Sequence, residues 1–362
     1  MNDQSWMAKA IELAQKGRGH TSPNPLVGAL VVRNGKLISQ GYHAAFGGPH
    51  AEAVALRKAG MRAKGATLYV TLEPCSSWGK TPPCVDQVIA SRVAKVVVGS
   101  LDPNPRNHRA GIRKLRQAGI KVQVGILAEQ VETQNEGFFK VMRTGFPWVT
   151  LKIAQSLDGK IATRRGESRW ISSEAARRFV HRLRDEADAI LVGKNTALRD
   201  NPRLQGTLKN GKPWRVVLDP HLELSGGARL FQGSQLTFLA VSEKKLRGMT
   251  PRPPVSRRIL IPVPEVKGKL QLQALLRRLA SLGVNHLLVE GGGELAWSLI
   301  QEGWVDRLIW IVAPKITGGR RATTSVEGEG VALPRNAFPL QWEKTYRLGE
   351  DWVFEARCLQ ES

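Results

Sequence analysis

The sequence predicts an α/β protein of two successive domains, and three observations predict it. The chain has 362 residues, long for one core, and typical domain sizes divide it into two units of roughly 150 to 200 residues. Short apolar runs of strand type alternate with helix-type stretches through both halves. Gly145 and Pro147 interrupt that alternation in "RTGFPWVTLK", which places the boundary near 145 to 148 and the domains at 1–146 and 147–362. Hydrophobic residues at 42% and charged residues at 23% are a globular balance.

The elements follow in order. Residues 5–17 read as an amphipathic helix, "LVGALVVR" and "KLISQGY" as strands, and 50–60 as a helix. "ATLYVTLEP" is a strand, 82–91 a helix, "KVVVGS" a strand, 109–118 a helix, "KVQVGI" a strand and 128–142 a helix. Apolar runs this short between helices predict a mainly parallel sheet covered on both faces. The second half repeats the style with no internal repeat. "WVTLKIAQS" is a strand, 172–186 a helix capped by Ser172 or Ser173, and "AILVGKNT" a strand. "WRVVLDP", "LTFLAV" and "RRILIPV" are three further strands. A helix over 270–282 precedes "HLLVEGGG", another covers 294–302, and "RLIWIVAP" and "WVFEARCL" finish the sheet. The stretch 242–257 reads as a mobile connection.

The apolar runs are far too short to span a bilayer, which needs about 20 residues. The first residues lack the basic start, apolar stretch and cleavage site of a secretory leader, so a reducing, cytoplasmic setting is expected. There, paired cysteines more often bind metal or do chemistry than form a disulfide. Basic residues number 54 against 31 acidic, a formal charge of +23. They are scattered without a tail of like charges, which reads as a solvated basic surface that also attracts phosphorylated small molecules or RNA.

Two of the three cysteines lie nine positions apart in "TLEPCSSWGKTPPC". Upstream, "GGPHAEAVAL" puts His50 and Glu52 at a helix start, with side chains diverging so that one holds a metal while the other reaches around a substrate. Cys75 follows a strand and Pro74, and Cys84 follows Pro82-Pro83 at the start of the next helix, where exposed N–H groups favour a thiolate. One imidazole and two sulfurs leave a tetrahedral zinc with one open position, the mark of a catalytic site. The open position takes water, and Glu52 shuttles its proton to a leaving amine. This is the logic of zinc-dependent base deaminases, whose signature is H-x-E followed by P-C and a second Cys. Taken singly, His50, Cys75 and Cys84 read equally as buried structural residues, and Cys358 as core. In the second half, "VEGGGELAWSL" follows a strand and opens a helix, a setting in which glycine backbone approaches a pyrophosphate.

Together "SPNPLVGALVV", "GYHAAFGGPHAEAVAL", "TLEPCSSWGKTPPC", "DPNP", "KIAQSLDGKIAT", "GESRWIS", "DAILVGKNTALRDNPRL" and "VEGGGEL" resemble the bifunctional deaminase-reductase of riboflavin biosynthesis over nearly the whole chain. The resemblance implies a cytidine-deaminase-like three-layer αβα domain followed by a dihydrofolate-reductase-like α/β domain. It implies hydrolytic loss of the ring amino group of 2,5-diamino-6-(5-phosphoribosylamino)pyrimidin-4-one, then reduction of the ribosyl group to ribityl by NADPH. By the same resemblance Asn24, His43, Lys80, Thr81, Asp102 and Asn104 line the deaminase pocket. Gly291, Gly292, Gly293, Glu294 and Leu295 cradle NADPH, with Ala154, Trp170, Thr196 and Asp200 adding contacts. Ser168, Arg184, Leu204 and Glu290 meet the substrate, Arg184 at its phosphate, and Lys152 assists protonation of the sugar carbonyl. Asp158 and Gly159 read as a hairpin turn. A homo-oligomer assembled through the reductase domain is implied; no membrane and no nucleic-acid partner are.

Four positions depart from the family pattern: Ser77 stands where a His is usual, Arg109 where a Gly is, Asn201 where a second Asp is, and Thr207 where a substrate-binding Arg is common. They support two other readings: a diverged paralogue acting on a related pyrimidine, or one with a silent half. A nucleic-acid-editing deaminase would share His50, Glu52 and the cysteines, but the glycine-rich turn and aromatics at only 6% argue against it. A binding module with a structural zinc would not need Glu52 or the open position.

Overall fold

The computed structural model describes residues 1–78, 82–208, 211–247 and 257–359. Lys80 and Thr81 therefore lie outside the described residues, as does most of the 242–257 connection. The chain divides into two compact units, Met1–Gly145 and Phe146–Ser362.

In the first unit the elements are α1 (Asp3–Ala14), β1 (Gly28–Arg33), β2 (Lys36–Tyr42), α2 (Ala51–Ala59), β3 (Thr67–Leu72), α3 (Cys84–Ala90), β4 (Lys95–Ser100), α4 (Ala110–Gln117), β5 (Lys121–Val124), α5 (Ala128–Gln134) and α6 (Glu136–Thr144). The five-stranded sheet has the order β2-β1-β3-β4-β5. It is mixed rather than mainly parallel: β3, β4 and β5 run parallel, while β1 is antiparallel to both β2 and β3. For β1 and β2 the reason is local: Asn34 and Gly35 both take positive φ, 50° and 70°, and close a two-residue hairpin. Strand alternation then feeds two cores. Ala29 and Val31 face the layer of α2, α3 and α4, with Ala55, Leu68, Val85, Val96 and Leu115. Leu30 and Val32 face α1, with Trp6, Met7, Ala10, Tyr69 and Val97. Each buried Val, Leu or Met among them contributes about 1.5–3 kcal/mol, and the result is three layers.

The helix expected over 128–142 is two helices. The break is at Asn135, a buried side chain whose Oδ1 accepts from Leu26 N at 2.7 Å and whose Nδ2 donates to Leu26 O and Val131 O. Those bonds pin the segment before β1 to the helical layer and override propensity.

The second unit contains β6 (Trp148–Ser156), α7 (Glu174–Glu186), β7 (Ala189–Gly193), α8 (Lys194–Asp200), β8 (Trp214–Leu218), β9 (Thr237–Ser242), α9 (Glu243–Arg247), β10 (Arg258–Val263), β11 (Glu265–Val266), β12 (Lys269–Leu270), α10 (Leu272–Ser281), β13 (His286–Val289), α11 (Gly293–Gln301), β14 (Arg307–Ala313), β15 (Leu340–Leu348) and β16 (Asp351–Cys358). The nine-stranded sheet has the order β10-β9-β8-β7-β13-β6-β14-β16-β15. It is parallel from β10 to β14 and antiparallel through β16 and β15. Three details differ from expectation. The strand "AILVGKNT" ends at Gly193 and gives way to α8, so Thr196 is helical. Edge strand β15 is added; its first six residues are exposed, while Tyr346 and Leu348 near its end pack against the core. A short hairpin of β11 and β12 precedes α10. Ser173, not Ser172, caps α7, its Oγ accepting from Ala176 N at 3.3 Å. Cys358 ends β16 partly buried against the main core, its thiol pushed up to about 11 by burial.

Candidate active sites

In the first unit three elements converge. His50 is the residue before α2, Cys75 follows β3 and the Pro74 turn, and Cys84 is the first residue of α3. His50 Nδ1 lies 3.1 Å from Cys84 Sγ and 3.6 Å from Cys75 Sγ, and Cys84 N donates to Cys75 Sγ at 3.3 Å. All three donor atoms lie within 4.8 Å of one another. Hydrogen bonding from Cys84 and then His50 holds the Cys75 thiol down to about 4, while the same contact with Cys75 and burial push Cys84 up. One thiolate, one thiol and one imidazole packed this closely form a donor set that a divalent cation satisfies by displacing the shared proton. The residues fit zinc.

Glu52 sits in the first turn of α2, 3% exposed, and burial pushes its carboxyl up to about 7 against the pull of His50. A 330 Å³ cavity opens beside it, lined by Asn24, His43, His50, Glu52, Cys75, Asp102 and Asn104 among others. His43 is buried, not a surface histidine. Its Nδ1 is 3.0 Å from Pro49 O and its Nε2 3.2 Å from Asn24 Nδ2, and burial lowers its pKa. Partners of that kind suit a neutral ring with Nδ1 donating and Nε2 accepting. Asp102 accepts from Asn104 N at 2.9 Å and Asn107 Nδ2 at 2.9 Å; burial raises it nonetheless.

Three residues that sequence reasoning passed over organise this wall. Glu73, 3% exposed, accepts from Asp102 N (3.3 Å), Arg109 N (3.0 Å) and Ile112 N (3.3 Å), tying the 102–112 segment to the metal loop. A Glu ending an apolar strand was the available signal. Gly111 lets α4 approach: a Cβ there would stand 2.2 Å from Pro74 O. Asn107, 8% exposed, receives Ser77 Oγ at 2.9 Å on Oδ1 while donating to Asp102. Ser77 thus joins a network through Asn107, which nothing in a turn sequence announces. Arg109 takes the left-handed conformation, φ 59°, that a glycine would adopt. Trp78 lines the cavity but is largely exposed, and His108 Nδ1 is occupied by Asp102 O at 3.0 Å.

In the second unit a 520 Å³ cavity is lined by Ser168, Thr196, Asp200, Gly292, Gly293, Glu294 and Leu295. It lies at the carboxyl ends of β7 and β13, where α8 and α11 begin. Gly292 presents bare backbone to it: an added Cβ would meet only Thr196 Oγ1, at 3.8 Å. Gly293 permits a close approach, its would-be Cβ falling 2.6 Å from Thr324 O. The first-turn amides of α11, a nine-residue helix, lack helical partners and favour an anion. Cavity, bare backbone and helix start fit a dinucleotide. Gly291 packs instead on Leu295, and Leu204 is buried core with φ 46°. Ala154, Trp170, Lys152, Arg184 and Glu290 do not line this cavity. The last three form a buried cluster: Glu290 accepts Arg184 Nε (2.6 Å) and Nη2 (2.9 Å) and Lys152 Nζ (3.4 Å). Burial raises the Glu290 carboxyl, but Arg184 and Lys152 outweigh it and hold the group down to about 2. Thr207 bonds to Asp185 through both N and Oγ1. Asn201 receives Arg229 N on Oδ1 at 2.8 Å. Asp158 does make the turn, accepting Ser156 Oγ, Thr317 N and Gly318 N.

A His-Cys-Cys metal centre with a buried non-ligating carboxyl, followed by a second unit with a dinucleotide cavity, defines a two-activity zinc hydrolase and reductase. Residues 1–100 match the cytidine and deoxycytidylate deaminase zinc-binding region, and residues 147–354 match the RibD C-terminal domain. The riboflavin biosynthesis protein RibD of Aquifex aeolicus is 42% identical over 353 residues, 97% of each chain. That of Escherichia coli is 44% identical over 334 residues, 88% of this chain and 89% of the relative. A crystal structure from Thermotoga maritima, described as a diaminohydroxyphosphoribosylaminopyrimidine deaminase/5-amino-6-(5-phosphoribosylamino)uracil reductase, superposes with TM-score 0.86 at 36% identity over 99% of both chains. The chain belongs to the RibD family, the bifunctional deaminase-reductases of riboflavin biosynthesis. Zinc and NADPH are its cofactors. Among the described residues no helix is long and apolar enough to cross a membrane.

Proposed function

We propose that residues 1–146 carry the hydrolytic step and residues 147–362 the reduction, on the phosphoribosylamino-pyrimidine named above. The observation that carries the first half is the triangle of His50, Cys75 and Cys84 with Glu52 buried beside it and not needed as a ligand. Zinc held there supplies acidification of water. Glu52 takes the attacking water's proton and returns it to the departing amine, releasing ammonia. Asn24, neutral His43, Asp102 and Asn104 present donors and acceptors to the pyrimidine edge, and the family resemblance adds Lys80 and Thr81 as substrate contacts.

In the second half NADPH supplies the hydride. Gly291 to Leu295, Thr196, Asp200, Ala154 and Trp170 orient the dinucleotide; Ser168, Arg184, Leu204 and Glu290 orient the substrate. Lys152, paired with Glu290 at 3.4 Å, would supply the proton that the substrate takes up as its ribosylamine ring opens and its carbon is reduced. The location is the cytoplasm, and copies of the chain associate into a homo-oligomer through the reductase unit. The exposed edge strand β15, with Leu340 and Trp342, the latter 63% exposed, supports that association.

The test supplies the diamino-pyrimidine substrate and follows ammonia and NADPH oxidation separately. Glu52→Gln is expected to retain one zinc per chain and lose ammonia release by about 10²–10⁴-fold, while NADPH oxidation continues on substrate already deaminated. Retained ammonia release removes Glu52 from its role.

A further inference from the structure

We propose that a cleft beside the reductase cavity is a phosphate-monoester site built around four arginines, Arg164, Arg165, Arg199 and Arg321. It rests on the reductase reading above. The cleft encloses 780 Å³ and is lined by Arg164, Arg165 and Arg169 from the turn after β6, Arg199 from the last turn of α8, and Arg321 after β14. It shares Gly166, Ser168, Arg199, Asp200 and Thr323 with the dinucleotide cavity, so a ligand in one reaches the other.

The arginine turn is built rather than loose. Thr163 Oγ1 accepts from Arg165 N and Glu167 N at 3.3 Å each, Gly166 N donates to Thr163 O at 2.9 Å, and Gly166 has φ 84°. A Cβ on Gly319 would lie 3.9 Å from Arg164 Cβ, so this turn stands against the segment that carries Arg321. Against the five cations the lining sets two carboxylates, Glu167 and Asp200. Asp200 already accepts Ser168 Oγ at 3.0 Å, and Arg169 is spent on Asp200 O at 2.6 Å. Among the described residues no ion pair engages Arg164, Arg165, Arg199 or Arg321. Like charges gathered in one concavity repel, and a dianion with three equivalent oxygens relieves that repulsion through charge-assisted pairs.

The residues expected to hold phosphate are engaged elsewhere. Arg184 commits Nε and Nη2 to Glu290 and Nη1 to Gln205 O at 3.3 Å, and Thr207 is bonded to Asp185. Among the described residues the guanidinium groups of Arg164, Arg165, Arg199 and Arg321, which line the cleft, make no ion pair. Both reactants of the reductase step bear a phosphate monoester, on the substrate's ribose and on the adenosine ribose of NADPH, and the chemistry of the cleft suits either.

The experiment uses the full-length protein and two variants, Arg164→Gln/Arg165→Gln and Arg321→Gln. NADPH oxidation is measured with the deaminated substrate and its dephosphorylated counterpart, and with NADH in place of NADPH. The double variant is expected to raise KM about tenfold for the reactant whose phosphate the cleft holds, and not for the counterpart lacking that phosphate. A rise confined to phosphorylated against dephosphorylated substrate assigns the cleft to the substrate; a rise confined to NADPH against NADH assigns it to the cofactor. A misfolded variant would lose both members of a pair together, so the ratio within each pair is the readout. Equal changes within both pairs, or none, overturn the proposal. Calorimetric titration with inorganic phosphate needs no turnover and is expected to weaken about tenfold in the double variant. Unchanged phosphate binding also overturns it, whereas a wild-type protein that binds phosphate but oxidises no NADPH refutes the reductase reading instead.

Discussion

Glu290→Gln tests whether the buried cluster of Lys152, Glu290 and Arg184 is one energetic unit. The three side chains are 14%, 9% and 17% exposed, and the contacts are 3.4, 2.6 and 2.9 Å. The carboxyl moves from 4.5 to about 2, held there by two cations against the cost of burial. At 1.36 kcal/mol per unit that linkage is worth about 3 kcal/mol, close to the ~3–5 kcal/mol expected when one partner of a buried pair is removed. Gln keeps an acceptor oxygen, so a loss of about 2–4 kcal/mol at pH 7 is expected. The sign in pH follows from the depressed folded value. The stabilisation is fully present above the unfolded value and is lost as pH falls from about 4.5 through 2, because the unfolded chain binds the proton first. The difference between wild type and variant should hold from pH 8 to 5.5 and shrink by about 1 kcal/mol at pH 4. Urea unfolding followed by tryptophan fluorescence reads the right unit, since of the ten tryptophans only Trp6 and Trp78 lie outside 146–362. A loss below about 1 kcal/mol, or a difference that does not narrow in acid, refutes the reasoning.

Two further outcomes concern the first unit. Chelation of the metal is expected to stop ammonia release while leaving NADPH oxidation on deaminated substrate intact, measured in one preparation before and after zinc is restored; loss of both would mean the halves are not separable. Asn107→Ala removes the link between Ser77 and Asp102. It should cost about 1–3 kcal/mol in the stability of the N-terminal unit and raise the deaminase KM, with the reductase KM as the unmoved reference.

What the sequence disclosed depended on how far each interaction reaches. His50, Cys75 and Cys84 were legible because metal ligation demands specific atoms at element starts, and "PHAE" and "PPC" write those starts into a few consecutive residues. The strand-helix alternation was legible for the same local reason. The antiparallel edge rests on the Asn34-Gly35 hairpin and on the pairing of β1 with β3, and the short apolar runs alone disclosed neither. Asn135 broke a helix by bonds to Leu26, more than a hundred positions away, and the first six residues of β15 are exposed, so no buried stretch marks its start. Glu73 and Asn107 act through backbone amides and side chains on other segments, so their chemistry was present in the sequence and their partners were not.

The same distinction explains why a departure at Thr207 is compatible with an intact phosphate contact while one at Cys84 would not be compatible with the metal. A thiolate ligand works only at bonding distance and from one direction, so the chain has one position to supply it. A phosphate dianion is attracted by guanidinium groups over a screening length of about 8 Å, and an arginine carries its charge on a long stem. Many positions around a cleft can therefore do the work of one, and a template that inspects a single position sees a loss where the field has merely moved. A formal charge of +23 spread along the chain looks diffuse in one dimension. Folding gathers Arg164, Arg165, Arg199 and Arg321 from segments as much as 157 positions apart, and a scattered count becomes a local potential.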